Sequence, residues 1–459
     1  MAIDQSSRPL SAHRGEILHF IEDPKDVIIP QQGQTSGDNN DNKRAYSGDA
    51  PWQYFPDGLL VIEDGHVKEC GSFEAVSPKL DSSARIIEHK DGLIVPGFVD
   101  THVHYPQCEV IASYGTQLLD WLNTHTFPAE MRFHDSDYGS TIAEFFIRQL
   151  LNNGTTTALV FGTVHPQSVD AFFTVAEQRN LRMICGKVMM DRHAPPALCD
   201  TPESSYIDSK RLIRDWHNKG RLGYAVTPRF APTSTDEQLT KAGELIREFP
   251  DVHLHTHLAE NKAECEWVDA LFPDQRGYLD VYDHHGLLGR RSVFAHGIHL
   301  NDQQWQRLHE AGSAVAYCPT SNLFIGSGLF RLIKADEFSV NVGLGTDVGG
   351  GDSFSMLRTI NEAYKIQQLQ GHNLSPFRAL YFATLGGAKS LDLDRYIGNF
   401  EPGKEADFVV LDYGGTDLLD FRLRGCRNVM EKLFVIEMLG DDRAVRETWI
   451  MGEKQEFAF

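Results

Sequence analysis

From residue 92 to about residue 391 the chain alternates short apolar runs with stretches whose apolar positions recur at helical spacing. The runs at 92–99, 156–161, 182–189 and 222–227 read as strands, each followed by a helix or a long loop. Those at 252–257, 292–296, 314–318 and 340–346 continue the series. Eight such units are what a (β/α)8 barrel requires. Helix starts support the count, since Thr235 with Gln238 and Asn301 with Gln304 both resemble capping boxes before apolar periodicity. A doubly wound open sheet is the competing architecture. It is disfavoured because polar residues stand at the C-terminal end of nearly every strand, as in a barrel whose loops build one shared site.

The two ends of the chain read differently. Residues 15–21 form a short apolar run, and 59–62 and 67–70 flank an Asp64-Gly65 turn, a strong hairpin signal. At the far end 407–411 and 447–451 are again strand-like, with a turn near Gly452. The expected fold is therefore α/β: a TIM-like (β/α)8 barrel at 92–395, inserted into a small β-sandwich domain built from 1–91 and 396–459. Residues 31–57 are polar and rich in Gly, Asn and Asp, and are expected to be a surface insertion without chemistry.

Composition narrows the class. The chain has 459 residues, 41% hydrophobic and 23% charged, ordinary values for a soluble globular enzyme. A formal net charge of -21 argues against a nucleic-acid partner, which would need a basic footprint, and is compatible with a small neutral substrate. No apolar run approaches a membrane span, and the first nine residues lack an apolar signal core, so a cytoplasmic protein is expected. The seven cysteines form no C-x-x-C pair and read as reduced, packed residues.

The chemistry sits at the strand ends. The segment 95–104 runs VPGFVDTHVH, so His102 and His104 project from one face of an extended strand, half of a zinc site. In VHLHTHLAE, residues 252–260, His257 lies at the strand end and is best placed to reach a metal, with His255 packed or hydrogen-bonded beneath it and His253 near the barrel bottom. Glu260 follows in the loop over the pocket, where a carboxyl can shuttle protons without being a ligand. Taken alone, a loop glutamate is more often merely solvated; adjacency to His257 reverses that weighting. His296 closes the sixth strand. Asp347 closes the glycine-rich eighth, where burial is expensive unless the carboxylate is paired or metal-bound. Neither G-x-G-x-x-G nor a Walker pattern fits those glycines.

With these segments in view the chain resembles the amidohydrolase superfamily, and PGFVDTHVHYPQ (96–107), LLDWLNTHTFP (118–128), NGTTTALVFGTVHPQ (153–167), TPRFAPT (227–233), HTHLAE (255–260), CPTS (318–321) and GTD (345–347) carry the likeness. ATLGGAKS (383–390) and GKEADF (403–408) extend it. The HYPQ, PRFAPT and HLAE pieces resemble its guanine-specific branch. The resemblance implies one zinc ion per chain, held by His102, His104, His257 and Asp347 with a water completing the shell. It implies Glu260 and Asp347 as proton carriers and His296 beside the activated water. Gln107, Arg229 and Phe230, with His104, His257, Glu260 and Asp347, would hold the base. The implied reaction is hydrolytic deamination of guanine to xanthine and ammonia in purine catabolism, by a homodimeric enzyme. Gly297, where relatives carry other side chains, is expected to matter for packing only.

The chemistry agrees with that reading. Guanine C2 is a weak electrophile, and zinc lowers the pKa of a bound water from about 15.7 toward ~7. Arg229 and Gln107 suit the carbonyl and ring-nitrogen edge, and Phe230 offers a flat apolar face. A binuclear amidohydrolase would need a carboxylated lysine near the end of strand four. That end reads AVTPR, and Lys187, inside the third strand, is expected to make a structural ion pair or hydrogen bond. A catalytically dead scaffold is disfavoured because every metal-associated position holds a competent residue. The H-x-E with P-C-x-x-C signature of the cytidine-deaminase fold is absent.

Overall fold

The computed structural model describes residues 10–25, 50–81, 84–115 and 118–456. Its first sheet comes from both ends of the chain. The strands are β1 (Ser11–Phe20), β2 (Trp52–Glu63), β3 (His66–Ser72), β4 (Arg85–Pro96), and, after the barrel, β14 (Phe408–Asp412), β15 (Val445–Ile450) and β16 (Glu453–Lys454). They pair in the order β16-β15-β14-β4-β1-β2-β3. The sheet curls until β3 meets the approach to β14, where Val67 N–H donates to Lys404 O at 2.7 Å. Ile17, Leu60, Ile62, Ile94, Phe408 and Val410 fill the enclosed space. The alternate residues Leu93, Val95, Val409 and Leu411 belong to the large core shared with the barrel helices, as a period of two requires. Both turns read from the sequence are present: Asp64 and Gly65, then Met451 and Gly452, all have positive φ, the geometry of tight hairpins.

The second sheet is the barrel: β5 (Phe98–His104), β6 (Thr155–Phe161), β7 (Arg182–Gly186), β9 (Gly223–Pro228), β10 (His253–Leu258), β11 (Ser292–His296), β12 (Ala314–Tyr317) and β13 (Asn341–Leu344), with the short β8 (Val188–Met189) beside β9. All these pairings are parallel. β13 closes against β5 through Thr101 Oγ1, which donates to Leu344 O at 2.9 Å, and through Asp347 N–H, which donates to His102 O at 2.9 Å. Small and aliphatic side chains (Val99, Ile184, Ala225, Ala295, Ala316) fill the interior. Helices such as 136–152, 236–248 and 356–369 pack outside with their apolar faces inward. Thr235 and Asn301 cap their helices as expected, the latter in a reciprocal capping box.

Three boundaries differ from the sequence reading. The run 92–99 is not one barrel strand: its first part, through Pro96, ends β4 in the terminal sheet, and the barrel begins at Phe98. The run is continuously apolar because both strands are buried on both faces. Gly97 divides them, where a Cβ would lie 2.1 Å from Thr156 Oγ1. The third strand breaks at Lys187. Of the polar segment 31–57, residues 31–49 lie outside the described residues, while Trp52–Asp57 is part of β2, with Trp52 packed edge-on against Phe377. No helix among the described residues is long and apolar enough to cross a membrane.

Candidate active site

The C-terminal ends of β5, β10, β11 and β13 bring five side chains to one point. His104 Nε2 lies 3.2 Å from His257 Nε2 and 3.3 Å from Asp347 Oδ1, and His102 Nε2 lies 3.1 Å from the same oxygen. Ligand atoms ~2.0–2.1 Å from a tetrahedral zinc are about 3.3 Å apart, so these spacings match the edges of such a coordination shell. His296 Nε2 is farther out, 3.7 Å from Asp347 Oδ2 and 3.5 Å from Glu260 Oε2. Ligand atoms of His102, His257, His296 and Asp347 all lie within 4.8 Å of one another.

Supporting bonds fix which ring nitrogen faces inward. His257 Nδ1 donates to Arg229 O at 2.7 Å, which leaves Nε2 for a metal. His102 Nδ1 pairs with His255 Nε2 at 2.7 Å, so His255 lies beneath the site as expected, and His253 Nε2 donates to Leu391 O at the barrel bottom. His296 Nδ1 bonds Asn322 Oδ1 at 2.9 Å. The Nε2 atoms of His102 and His296 are buried without a hydrogen-bond partner among the described residues. Buried polar atoms left in this way fit a metal ion and its water.

Electrostatics favour the same donor set. Burial, joined by repulsion between neighbouring imidazoles, holds His102 and His257 below the usual histidine range and His104 at about 3, so all three are neutral imidazoles, the form that can bind a metal. Burial opposes the charge of Asp347, but the adjoining imidazole of His102, then those of His104 and His296, hold its carboxyl well below the usual range. Glu260 is 3% exposed, not a solvated loop carboxylate. Burial, then the nearby Asp347, push its pKa up to about 8, with a Ser327 Oγ bond at 2.8 Å acting in the opposite sense. Ala259, His296 and Asp347 all have positive φ. Such backbone costs energy for a side chain and clusters at functional sites. Gly297, at φ 62, sits in the same left-handed region, where only glycine is unstrained.

Beside these groups lies a pocket lined by Gln107, Arg229 and Phe230 together with Leu118, Trp121, Leu122, Glu264 and Ile325. All the site residues expected from the sequence therefore meet at or around it. Lys187 does not: its ammonium pairs with Asp200 and donates to Val188 O at 3.1 Å, the structural role expected for it.

Several supporting residues were not singled out from the sequence. Asp100, buried within the first motif, accepts from the N–H groups of His102 and Thr346. Asn322 directly follows the CPTS segment. Glu264 accepts from the N–H groups of Glu260 and Asn261 at 3.0 Å each and from Tyr278 Oη at 2.6 Å, holding the Glu260 backbone. Its position one helical turn beyond Glu260 was the available signal. Glu130, fully buried behind Arg229 and Gln107, had no local signal.

Comparison with known proteins agrees with this geometry. The amidohydrolase family pattern matches residues 93–454. A guanine deaminase of Escherichia coli (strain K12) is 56% identical over 400 residues, covering 87% of this chain and 91% of the relative. The solved structure of E. coli guanine deaminase superposes with a TM-score of 0.90 at 51% identity, over 97% of this chain and 99% of that one. A guanine deaminase from C. acetobutylicum, solved with guanine bound in the active site, gives a TM-score of 0.83 at 26% identity, over 97% and 100% of the two chains. By its motif, its barrel and these relatives, the chain belongs to the amidohydrolase family and groups within it among the guanine deaminases.

Proposed function

We propose that the protein catalyses the zinc-dependent hydrolytic deamination of guanine to xanthine and ammonia. The observation that carries the reading is the buried Glu260 beside a tetrahedrally spaced His102, His104, His257 and Asp347 set, opening on a pocket with Arg229 and Gln107 in its wall. Zinc held there would supply the Lewis acidity that makes hydroxide available at neutral pH. Asp347, charged and beside His296, takes the proton of the attacking water. Glu260, protonated at neutral pH by its burial, protonates the ring nitrogen next to C2 and then helps deliver a proton to the departing amine, so that ammonia and not amide ion leaves. His296, anchored by Asn322, keeps Nε2 toward the water. Phe230 offers a flat face to the base, while Arg229 and Gln107 donate to its carbonyl and ring-nitrogen edge.

The same reading includes a homodimer and a cytosolic setting in purine catabolism. Seven free cysteines support the latter. Ammonia release from guanine, adenine, cytosine and guanosine, with metal analysis of the same preparation, is the test. Guanine should be preferred by a large factor, with one zinc per chain. Adenine turned over as fast as guanine would overturn the substrate, and two metal equivalents in fully active protein would overturn the mononuclear site.

A further inference from the structure

We propose that Glu130 is a positioning residue that sets the charge and polarity of the base-binding wall, acting through Arg229 and Gln107. The proposal rests on the reading of the site as a purine-base pocket. Glu130 lies on the short helix Phe127–Met131, in the long connection between β5 and the helix Ser136–Asn152. It is fully buried and stands behind the wall that Arg229 and Gln107 form. Arg229 Nη1 donates to both of its oxygens, at 2.9 and 2.8 Å, and Gln107 Nε2 donates to Oε1 at 3.1 Å. The other end of the Gln107 amide accepts from Gly349 N–H at 3.2 Å. An acceptor on one side and a donor on the other leave that amide one orientation.

Two consequences follow for a ligand. The second N–H of Gln107 Nε2 and the Arg229 N–H groups beyond Nη1 have no partner among the described residues, so the wall presents donors to a ring edge bearing a carbonyl and ring nitrogens. The carboxylate also cancels the Arg229 charge. A wall balanced in this way suits a neutral base, because an unpaired buried guanidinium would favour an anion. The distinction bears on turnover, since xanthine loses a ring proton more readily than guanine. A balanced wall lets the anionic product go. An ion pair serving the fold alone would have no such effect on ligand charge.

The test is steady-state kinetics at mildly alkaline pH, with xanthine as inhibitor and zinc content measured for each protein. E130Q keeps the shape but removes the charge and places a donor where an acceptor is needed. It should raise KM for guanine ~10–100-fold, the range for losing a hydrogen bond to a charged group, with kcat changed far less and zinc retained. The inhibition constant for xanthine should fall relative to that KM, while E130D keeps the parent's order of affinities. If E130Q does not accumulate as folded protein, R229Q and E130Q/R229Q carry the test: the double variant leaves no unpaired charge, and in R229Q the Glu130 carboxyl can take up a proton and bond the new amide. Adding E130Q to R229Q should then change KM by less than about tenfold. Parent-like KM and xanthine inhibition in E130Q, or a loss confined to kcat, would overturn the proposal alone. A parent protein that does not turn over guanine would overturn the proposed function and this inference with it.

Discussion

In the proposed reaction Glu260 is the acid–base group because burial changes what a carboxyl group is at neutral pH. With its pKa raised to about 8, by burial first and then by Asp347, it holds a proton that a solvated glutamate would have lost. Glu260→Gln is nearly isosteric and cannot deliver that proton, so it should keep its zinc and lose ~10²–10⁴-fold in kcat. Metal analysis and kcat of one preparation decide the matter; near-parent turnover would return Glu260 to the role of a buried structural group. Its place at the pocket was legible in the chain because it stands three residues beyond His257. Glu130 was not legible, because Arg229 and Gln107 meet it across 99 and 23 residues of chain, and nothing local marks a glutamate that will be paired.

At the scale of elements, close approach between strands holds the proposed metal ligands in place. Gly345, just beyond β13, passes His102 so tightly that a Cβ would lie 2.9 Å from the His102 Cβ and 3.0 Å from Cys318 Sγ. Gly345→Ala should therefore lose metal affinity and cost about 1–3 kcal/mol of stability, the range for overpacking a core. Unchanged zinc content and Tm would show that the strand ends can yield. In the terminal sheet, His13 on β1 is held neutral, its pKa depressed to about 3 by burial and then by His89, whose ring nitrogen is 2.9 Å away. Only the unfolded chain can protonate this histidine in that range. Stability is thus lost as pH falls from about 6.5, and the loss grows until about 3. His13→Gln should have a lower Tm at about pH 7 but a flatter decline below the histidine range, measured by thermal unfolding across pH. A decline as steep as the parent's would assign the acid sensitivity elsewhere.

At the scale of the molecule, the barrel and the terminal sheet are tied by a buried ion cluster. Arg221, just before β9, donates to Glu405 at 2.6 Å and also pairs with Asp407, while Arg182 on β7 binds the same glutamate at 2.7 Å. Arg221→Met leaves Glu405 and Asp407 undercompensated, and breaking such a buried pair typically costs about 3–5 kcal/mol. Chemical denaturation should read that loss. A change under about 1 kcal/mol would mean that Arg221 adds little to the hold between the two sheets.

Local order was written in the chain. Apolar periodicity marked the barrel strands, turn chemistry marked the Asp64-Gly65 and Gly452 hairpin turns, and strand ends marked His102, His104, His257, His296 and Asp347, because all of these depend on neighbours in sequence. The division of the 92–99 run between two sheets, the orphaned nitrogens of His102 and His296, and the pairing of Glu130 with Arg229 were decided only in three dimensions. Burial and charge compensation depend on which distant segments close over a group, and a residue pattern holds that information only once the barrel has closed.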